Sequence, residues 1–290
     1  MGSRRSYSYG LCLLSVLLLV SPATTYGLKA KSTEPKREIS LRPKSPAQRS
    51  RSVRYPWDGQ LVRGMALGES TFVRHLPDDA ASGRFYGTWQ LVQLLSRGAR
   101  RVAQRFPGAR LTIGELSSKV GGDIDGHRSH ESGRDADVGF YMRRSDGSVY
   151  SGNHKFVEFD ANGRGLAPNG GLRFDAARNW ELVSKLVSDG DARVQYIFVS
   201  RGLRQLLLNT AVKRKASPDL IERAGAVMVE PGHGNPHRSH FHVRIYCPPT
   251  DRPVCRDVAP FWTWYPGAPP VTQVAMTSTS APLAPLAFVQ

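Results

Sequence analysis

The sequence predicts an α+β fold in which helices and long loops flank a small, mainly antiparallel sheet. Helical and strand-like segments are mixed along the middle of the chain, and long glycine-rich loops separate them. The sequence has no glycine-rich phosphate loop of the P-loop or dinucleotide-binding type. A doubly wound sheet is therefore disfavoured, and we expect no nucleotide among the partners.

Seven segments show the periodicity of regular structure. Three have apolar residues at helical spacing, and the first of these stops at Pro107-Gly108, a sequence that ends helices. The predicted helices are 87–106, 176–186 and 201–213. Four other segments are short and either apolar or alternating, which is typical of strands. The predicted strands are 111–116, 136–141, 194–199 and 241–246.

Length and composition indicate one globular domain with flanking segments. The 290 residues are 40% hydrophobic, which is enough for one good-sized core. Three cysteines exclude a disulfide-dense miniature protein and a four-cysteine zinc finger. The net charge of +16 comes without any recognised DNA- or RNA-binding motif. We therefore expect an anionic cell-envelope polymer, rather than nucleic acid, as the partner of this basic chain.

The first 27 residues have the features of a secretory signal peptide. Arg4 and Arg5 precede an apolar run at 11–20, and small residues follow it. The run is about half of the roughly 20 residues that a membrane-spanning helix needs. We predict export to the periplasm or secretion, with no membrane span in the mature chain. The start loosely resembles a twin-arginine signal, so the Sec and Tat routes both stay open.

Two further segments differ in composition from the predicted domain at 56–258. Segment 28–55 has nine Lys or Arg against two Glu, together with three prolines, and is predicted to be a disordered basic arm. A solvated linker is the alternative role for this arm. Segment 259–290 has no charged residue and six prolines, so we expect an unpacked tail whose start docks through Trp262, Trp264 and Tyr265.

Six of the eight histidines fall in two short clusters about 100 residues apart. The first contains His127 and His130 and is followed by Asp135 and Asp137, and the second lies at 233–242. Side chains alternate along a strand, so Asp135 and Asp137 are predicted to share one strand face. His240 and His242 share a face for the same reason, opposite Phe241, Val243 and Ile245.

Imidazole and carboxylate groups in this pattern suit Zn(II). A catalytic zinc site uses three protein ligands and keeps one position open for water. The sequence supplies His130, Asp137 and His242 as such a triad, and His240 remains beside it as a proton acceptor or donor. Each histidine alone is also consistent with an ordinary hydrogen-bonded role. No His-Glu-x-x-His helix is present, so an ordinary zincin is not indicated.

The motifs HRSHESGRDADV at 127–138 and HRSHFHVR at 237–244 resemble the penicillin-insensitive murein endopeptidase family. That family belongs to the group of lysostaphin-type, D-Ala-D-Ala and hedgehog-like metallopeptidases. The resemblance covers about 200 residues, from near Tyr55 to near Val258, and the stretch GELS at 114–117 also looks family-like. It implies a hedgehog-like or D-Ala-D-Ala-peptidase-like sheet that carries the zinc site.

The resemblance also implies roles for individual residues. The implied zinc ligands are the same three, His130, Asp137 and His242. His240 is implied as the base or the transition-state stabiliser. His127 and His237 match further active-site histidines, and Asp135 is expected to orient a ligand histidine. We expect one catalytic Zn(II), and His127 leaves room for a second ion.

The implied activity is hydrolysis of the D-alanyl–diaminopimelyl crosslinks of peptidoglycan by metal-activated water. This chemistry has no acyl-serine intermediate, so penicillin would not inhibit it. The alternatives are a D-alanyl-D-alanine carboxypeptidase with the same zinc site, a zinc-bearing wall-binding module without turnover, and a secreted nucleic-acid binder that rests on charge alone. Family members can carry several disulfides, whereas this chain has only Cys247 and Cys255 after removal of the signal peptide. We expect these two to form one bridge in an oxidising compartment.

Overall fold

A six-stranded sheet forms the centre of the computed structural model, which describes residues 49–150, 152, 155–232, 236–262 and 264. The strands are β1 (Arg51–Tyr55), β2 (Asp58–Val62), β3 (Met65–Ala66), β4 (Val73–His75), β5 (Tyr86–Gly87), β6 (Leu111–Ile113), β7 (Asp135–Gly139), β8 (Met142–Arg144), β9 (Leu172–Phe174), β10 (Val194–Phe198), β11 (Met228–Val229) and β12 (His240–Ile245). The helices are α1 (Pro77–Ser82), α2 (Trp89–Arg105), α3 (Ala176–Val187), α4 (Arg201–Lys213), α5 (Pro218–Val227) and a 3-10 turn at Pro249–Asp251.

The central sheet has the strand order β11-β10-β12-β7-β6-β4. Its three inner pairs are antiparallel, and the pair at each edge is parallel. Smaller two-stranded sheets form from β1 with β2, β3 with β5, and β8 with β9. The predicted α+β class with a mainly antiparallel sheet is confirmed.

Helices α2 and α3 pack against each other over the apolar core. The Thr88 side chain caps α2 by accepting from the Leu91 N–H, and Asp175 caps α3 in the same way. Gly98 allows the close approach, since a Cβ there would lie 2.9 Å from a Leu182 methyl group. Helix α5, which lies outside the predicted helices, begins with a Ser217 cap and Pro218, a common helix start.

The prediction of a disordered arm at 28–55 is wrong at its C-terminal end, because Arg51–Tyr55 forms strand β1. The strand pairs with β2, and the Ser52 N–H donates to Asp251 at 2.8 Å. These partners stabilise the strand through hydrogen bonds to its backbone. Because the strand has few large apolar residues, the apolar pattern of the sequence did not predict it. Residues 28–48 of the predicted arm, the predicted signal peptide at 1–27 and residues 265–290 lie outside the described residues.

The segment after β12 is fastened to the domain. The predicted disulfide between Cys247 and Cys255 is confirmed. Arg134, which is fully buried, donates to Asp257 at 2.8 Å. Trp262 donates through its indole nitrogen to the Gln195 carbonyl at 2.9 Å, so the first residues of the predicted tail are packed. No helix within the described ranges is both long and apolar enough to cross a membrane.

Candidate metal centre

The pairing of β7 with β12 brings the two histidine-rich clusters together. His242 lies opposite Asp137, Arg244 opposite Asp135, and His240 opposite Gly139. The intervening residues of both strands point into the core, where they are fully buried. They are Ala136, Val138, Phe241 and Val243. The polar residues therefore occupy one face of two adjacent strands, as the alternation predicts.

Three imidazole nitrogens surround one carboxylate oxygen. The Asp137 Oδ1 atom lies 3.3 Å from His242 Nδ1, 3.5 Å from His130 Nε2 and 3.5 Å from His240 Nε2. Burial alone would raise the pKa of Asp137, but the histidines around it, His240 and His130 foremost, outweigh burial and hold the pKa well below its ordinary value. Asp137 is therefore a carboxylate at neutral pH.

His130 is held by its backbone and by one ring nitrogen. Its φ of 79° lies in the left-handed region, which non-glycine residues seldom adopt. Its Nδ1 atom is 2.8 Å from the Leu116 carbonyl, and the Ser117 hydroxyl donates to the His130 carbonyl. A proton on Nδ1 leaves Nε2 as a lone-pair donor directed at Asp137. The loop at 114–117 thus fixes which nitrogen of His130 faces the site.

His242 is fixed in the complementary way, with Nδ1 toward Asp137. Its Nε2 atom is 2.7 Å from Asp135 Oδ1, which also accepts from Arg244 Nε at 2.6 Å. Burial lowers the pKa of His242, but hydrogen bonds with Asp135 and Asp137 outweigh it and raise the pKa to about 9. Asp135 thus orients His242 through the ring nitrogen that faces away from Asp137.

His240 lies at the rim of the same face. Its Nδ1 atom is 2.9 Å from the Ser239 hydroxyl, and the Phe156 ring stacks on its imidazole at 4.8 Å between centroids. Burial lowers the pKa of His240, and so do the charges of neighbouring histidines, so the ring is neutral at neutral pH. Phe156 requires glycine beneath it, because a Cβ at Gly114 or Gly139 would lie 2.7 or 3.1 Å from its ring atoms.

The other two predicted histidines, His127 and His237, lie beside this centre. His127 Nε2 is 2.6 Å from Glu115, its Nδ1 is 3.8 Å from Asp137 Oδ2, and burial lowers its pKa. The His237 ring is 5.2 Å from the ring of His240. Glu115, which also contacts Arg84, was not among the predicted site residues. Phe156 was not predicted either, because no local pattern shows that its ring covers His240.

The donor atoms fit a metal ion. Those of His127, His130 and Asp137 lie within 4.8 Å of one another. His130 Nε2 and Asp137 Oδ1 are buried, and neither has a hydrogen-bond partner in the described part of the chain. Ligands at 2.0–2.1 Å around a tetrahedral ion are about 3.3 Å apart. The separations around Asp137 are close to that value, so an ion bound there would satisfy both atoms.

A buried cluster of imidazoles and carboxylates on an α+β domain defines a candidate metal centre. The model of the penicillin-insensitive murein endopeptidase family matches residues 79–263. The chain belongs to this family, and is thereby a hydrolase of the peptidase class.

Two relatives carry the name penicillin-insensitive murein endopeptidase. The protein from Haemophilus influenzae (strain ATCC 51907 / DSM 11121 / KW20 / Rd) is 28% identical over 215 residues, which cover 69% of this chain and 68% of the relative. The protein from Salmonella heidelberg (strain SL476) is 24% identical over 214 residues, which cover 70% of this chain and 72% of the relative. Each match spans more than two thirds of both chains.

Proposed function

We propose that this protein is an exported, zinc-dependent murein endopeptidase that hydrolyses the D-alanyl–diaminopimelyl crosslinks of peptidoglycan and is insensitive to penicillin. One observation carries the proposal. Three imidazole nitrogens lie 3.3 to 3.5 Å from the same buried oxygen of Asp137. The family membership supports murein as the substrate.

His130 Nε2, Asp137 Oδ1 and His242 Nδ1 are the proposed ligands of a single zinc ion. In both histidines the other ring nitrogen is engaged, by the Leu116 carbonyl and by Asp135. This arrangement sets the tautomer of a metal-binding histidine. His127 is the weaker candidate for the third position, because Glu115 engages its Nε2 and its Nδ1 is 3.8 Å from Asp137. A bound Zn(II) would lower the pKa of a water molecule and polarise the scissile carbonyl.

His240 is the proposed general base. Its neutral imidazole can accept a proton, and Ser239 and Phe156 fix the ring so that Nε2 faces the centre. His127 lies beside His130, His237 lies beside His240, and both are proposed to contact the substrate. Asp135 is a positioning residue that acts through His242.

The proposal is tested by digesting purified crosslinked peptidoglycan with the mature protein. Mass spectrometry would follow the dimeric muropeptides with and without a zinc chelator and with penicillin. We expect dimers to become monomers, the chelator to stop the reaction, and penicillin to leave it unchanged. If the dimers persist while terminal D-alanine is released, the protein is a carboxypeptidase and not an endopeptidase. Stoichiometric zinc without any cleavage would indicate a wall-binding module instead.

A further inference from the structure

A polar cavity lies at the β4 edge of the central sheet. Its volume is about 150 Å³, which is enough for a small anionic group. Three arginines and two tyrosines contribute to its lining. They are Arg74, Arg110, Arg178, Tyr141 and Tyr150. None of these residues belongs to the metal centre around Asp137, formed by His127, His130, His240 and His242 and called here the His and Asp cluster. None belongs to the proposed catalytic machinery either.

Arg74, which lines the cavity, and the His and Asp cluster are on the same face of the sheet. His240 pairs with Gly139 across β12 and β7, and Arg74 pairs with Thr112 across β4 and β6. The Thr112 Cβ atom lies 3.1 Å from where a Cβ of Gly139 would be, so these two pairs form one row across the sheet. Three strand spacings separate His240 from Arg74, which amounts to roughly 14 Å between their backbones. The Phe156 ring lies between them, over Gly139 and against His240.

Tyr141 contributes a hydrogen-bond donor to this cavity. Its hydroxyl is buried and has no hydrogen-bond partner among the residues that the structure describes. Burial raises the pKa of Tyr141 above its ordinary value, although the charges of Arg178 and Arg74 oppose the change. The group is therefore a neutral phenol near two guanidinium groups, and the described residues leave its donor capacity unused.

The three arginines give the cavity a positive charge. Arg178 pairs with Asp175 through a terminal nitrogen, but its buried Nε has no hydrogen-bond partner in the described ranges. Arg110 donates to two backbone carbonyls, which do not neutralise its charge. Burial and the charge of Arg110 lower the pKa of Arg74, as expected for crowded cations. Crowded guanidinium groups beside a phenol suit an oxyanion, which would accept charge-assisted hydrogen bonds.

We propose that this cavity is an oxyanion subsite that holds a carboxylate of the peptide substrate while the bond to be cut lies at the His and Asp cluster. The inference rests on the proposed function and adds a specificity determinant to it. An extended peptide spans 14 Å with about four residues. A peptide segment of this length therefore matches the distance from the reacting bond to Arg74.

Kinetics on two forms of one substrate test this subsite. The substrates are soluble crosslinked muropeptide dimers with free carboxylates and the same dimers after methylamidation. We expect Arg74→Gln and Tyr141→Phe to raise KM for the free carboxylate form about tenfold and to leave kcat within about twofold. The variants should also lose the preference for that form. Arg201→Gln is the matched control, because it removes the same charge from a side chain that is 86% exposed.

A preference that persists unchanged in Arg74→Gln would overturn the subsite. So would an equal rise of KM in Arg201→Gln, since net charge alone would then explain the effect. Tyr141→Phe guards against misfolding, because it removes a single oxygen, and its melting temperature is measured beside that of wild type.

A binding measurement separates this inference from the proposed activity. Acetate and inorganic phosphate are titrated into the full-length protein, and the Nε–H signals of Arg74 and Arg178 are followed by nuclear magnetic resonance. We expect saturable shifts with acetate that Arg74→Gln abolishes. Saturation by phosphate alone would overturn the carboxylate assignment. Cleavage of murein without an acetate response overturns only the subsite, whereas an acetate response without cleavage overturns the proposed function and the assignment of the carboxylate to that substrate.

Discussion

The two faces of the β7–β12 pair are both buried, but different forces hold them. On the core face, Phe241 and its neighbours are apolar, and the Phe241 ring meets that of Phe140 at 4.6 Å. On the opposite face, Asp135 and Asp137 are surrounded by histidines and Arg244. Apolar burial is favourable without further conditions, whereas a buried charge is tolerated only when it is paired.

The comparison shows that one face of this strand pair contributes to the stability of the fold, whereas the other face carries the residues of the metal centre. Adjacent residues of β12 contribute either to the core or to the metal centre, because their side chains leave the strand in opposite directions. Substitutions on the core face should lower the free energy of unfolding. Substitutions on the other face should remove activity or metal binding first.

The largest expected effects are on activity. His242→Ala and His240→Ala should each lower the rate of murein hydrolysis by about a thousandfold or more, because one removes a proposed ligand and the other the proposed base. Elemental analysis distinguishes them. His242→Ala should lose its zinc, and His240→Ala should retain one equivalent. A zinc-replete but inactive His242→Ala protein would leave the proposed ligand triad wrong, and two equivalents in wild type would require a second site.

The next effect is on stability and belongs to the core face. Phe241→Ala should lower the free energy of unfolding by about 3–5 kcal/mol, since it removes a fully buried ring from a packed aromatic cluster. Urea unfolding monitored by circular dichroism measures the change, and His240→Ala on the adjacent position is the comparison. If both variants lost equal stability, the division between the two faces would not hold.

A smaller effect is expected from the loop that holds His130. Ser117 donates to the His130 carbonyl and accepts from the Gly133 N–H at 2.9 Å, so Ser117→Ala should weaken zinc binding roughly tenfold. Competition with a zinc-binding dye measures the affinity. Ser118→Ala is the matched control, because the hydroxyl of Ser118 donates to the Gly121 carbonyl instead of to a residue of the centre. Equal losses in both serine variants would indicate general loosening of the loop.

The smallest effect concerns the helices over the core face. Asp189 accepts from Arg97 at 2.7 and 2.8 Å, and although burial raises its pKa, these hydrogen bonds and the Ala192 N–H hold the pKa below its ordinary value. A depressed pKa contributes stability above the unfolded value of about 3.9 and loses it as the pH falls. Asp189→Asn should therefore cost about 1–2 kcal/mol at pH 7.

Urea unfolding of wild type and Asp189→Asn at several pH values checks the sign. The difference between the two proteins should shrink as the pH falls below about 4. A difference that stays constant from pH 7 to pH 3 would show that the charge of Asp189 contributes nothing to stability.

The sequence by itself determined the α+β class, the faces of the two site strands and the histidines and aspartates that meet there. Helix α4 was predicted with its observed bounds, and β12 lies within one residue of its prediction. Period-two and helical spacing are local properties of the chain, so they can be read from neighbouring residues. The cysteine count and the predicted export together led to the predicted disulfide, because only two cysteines follow the predicted signal peptide.

Only the tertiary structure decided which nitrogen of each histidine faces Asp137, that Glu115 engages His127, and that Phe156 covers His240. Strand β1 and the arginine-lined cavity also depend on it. These features come from contacts between residues far apart in the chain, such as Leu116 with His130 or Asp135 with His242. A hydrogen bond of this kind depends on the position of both partners in space, and spacing along a single strand does not contain that information.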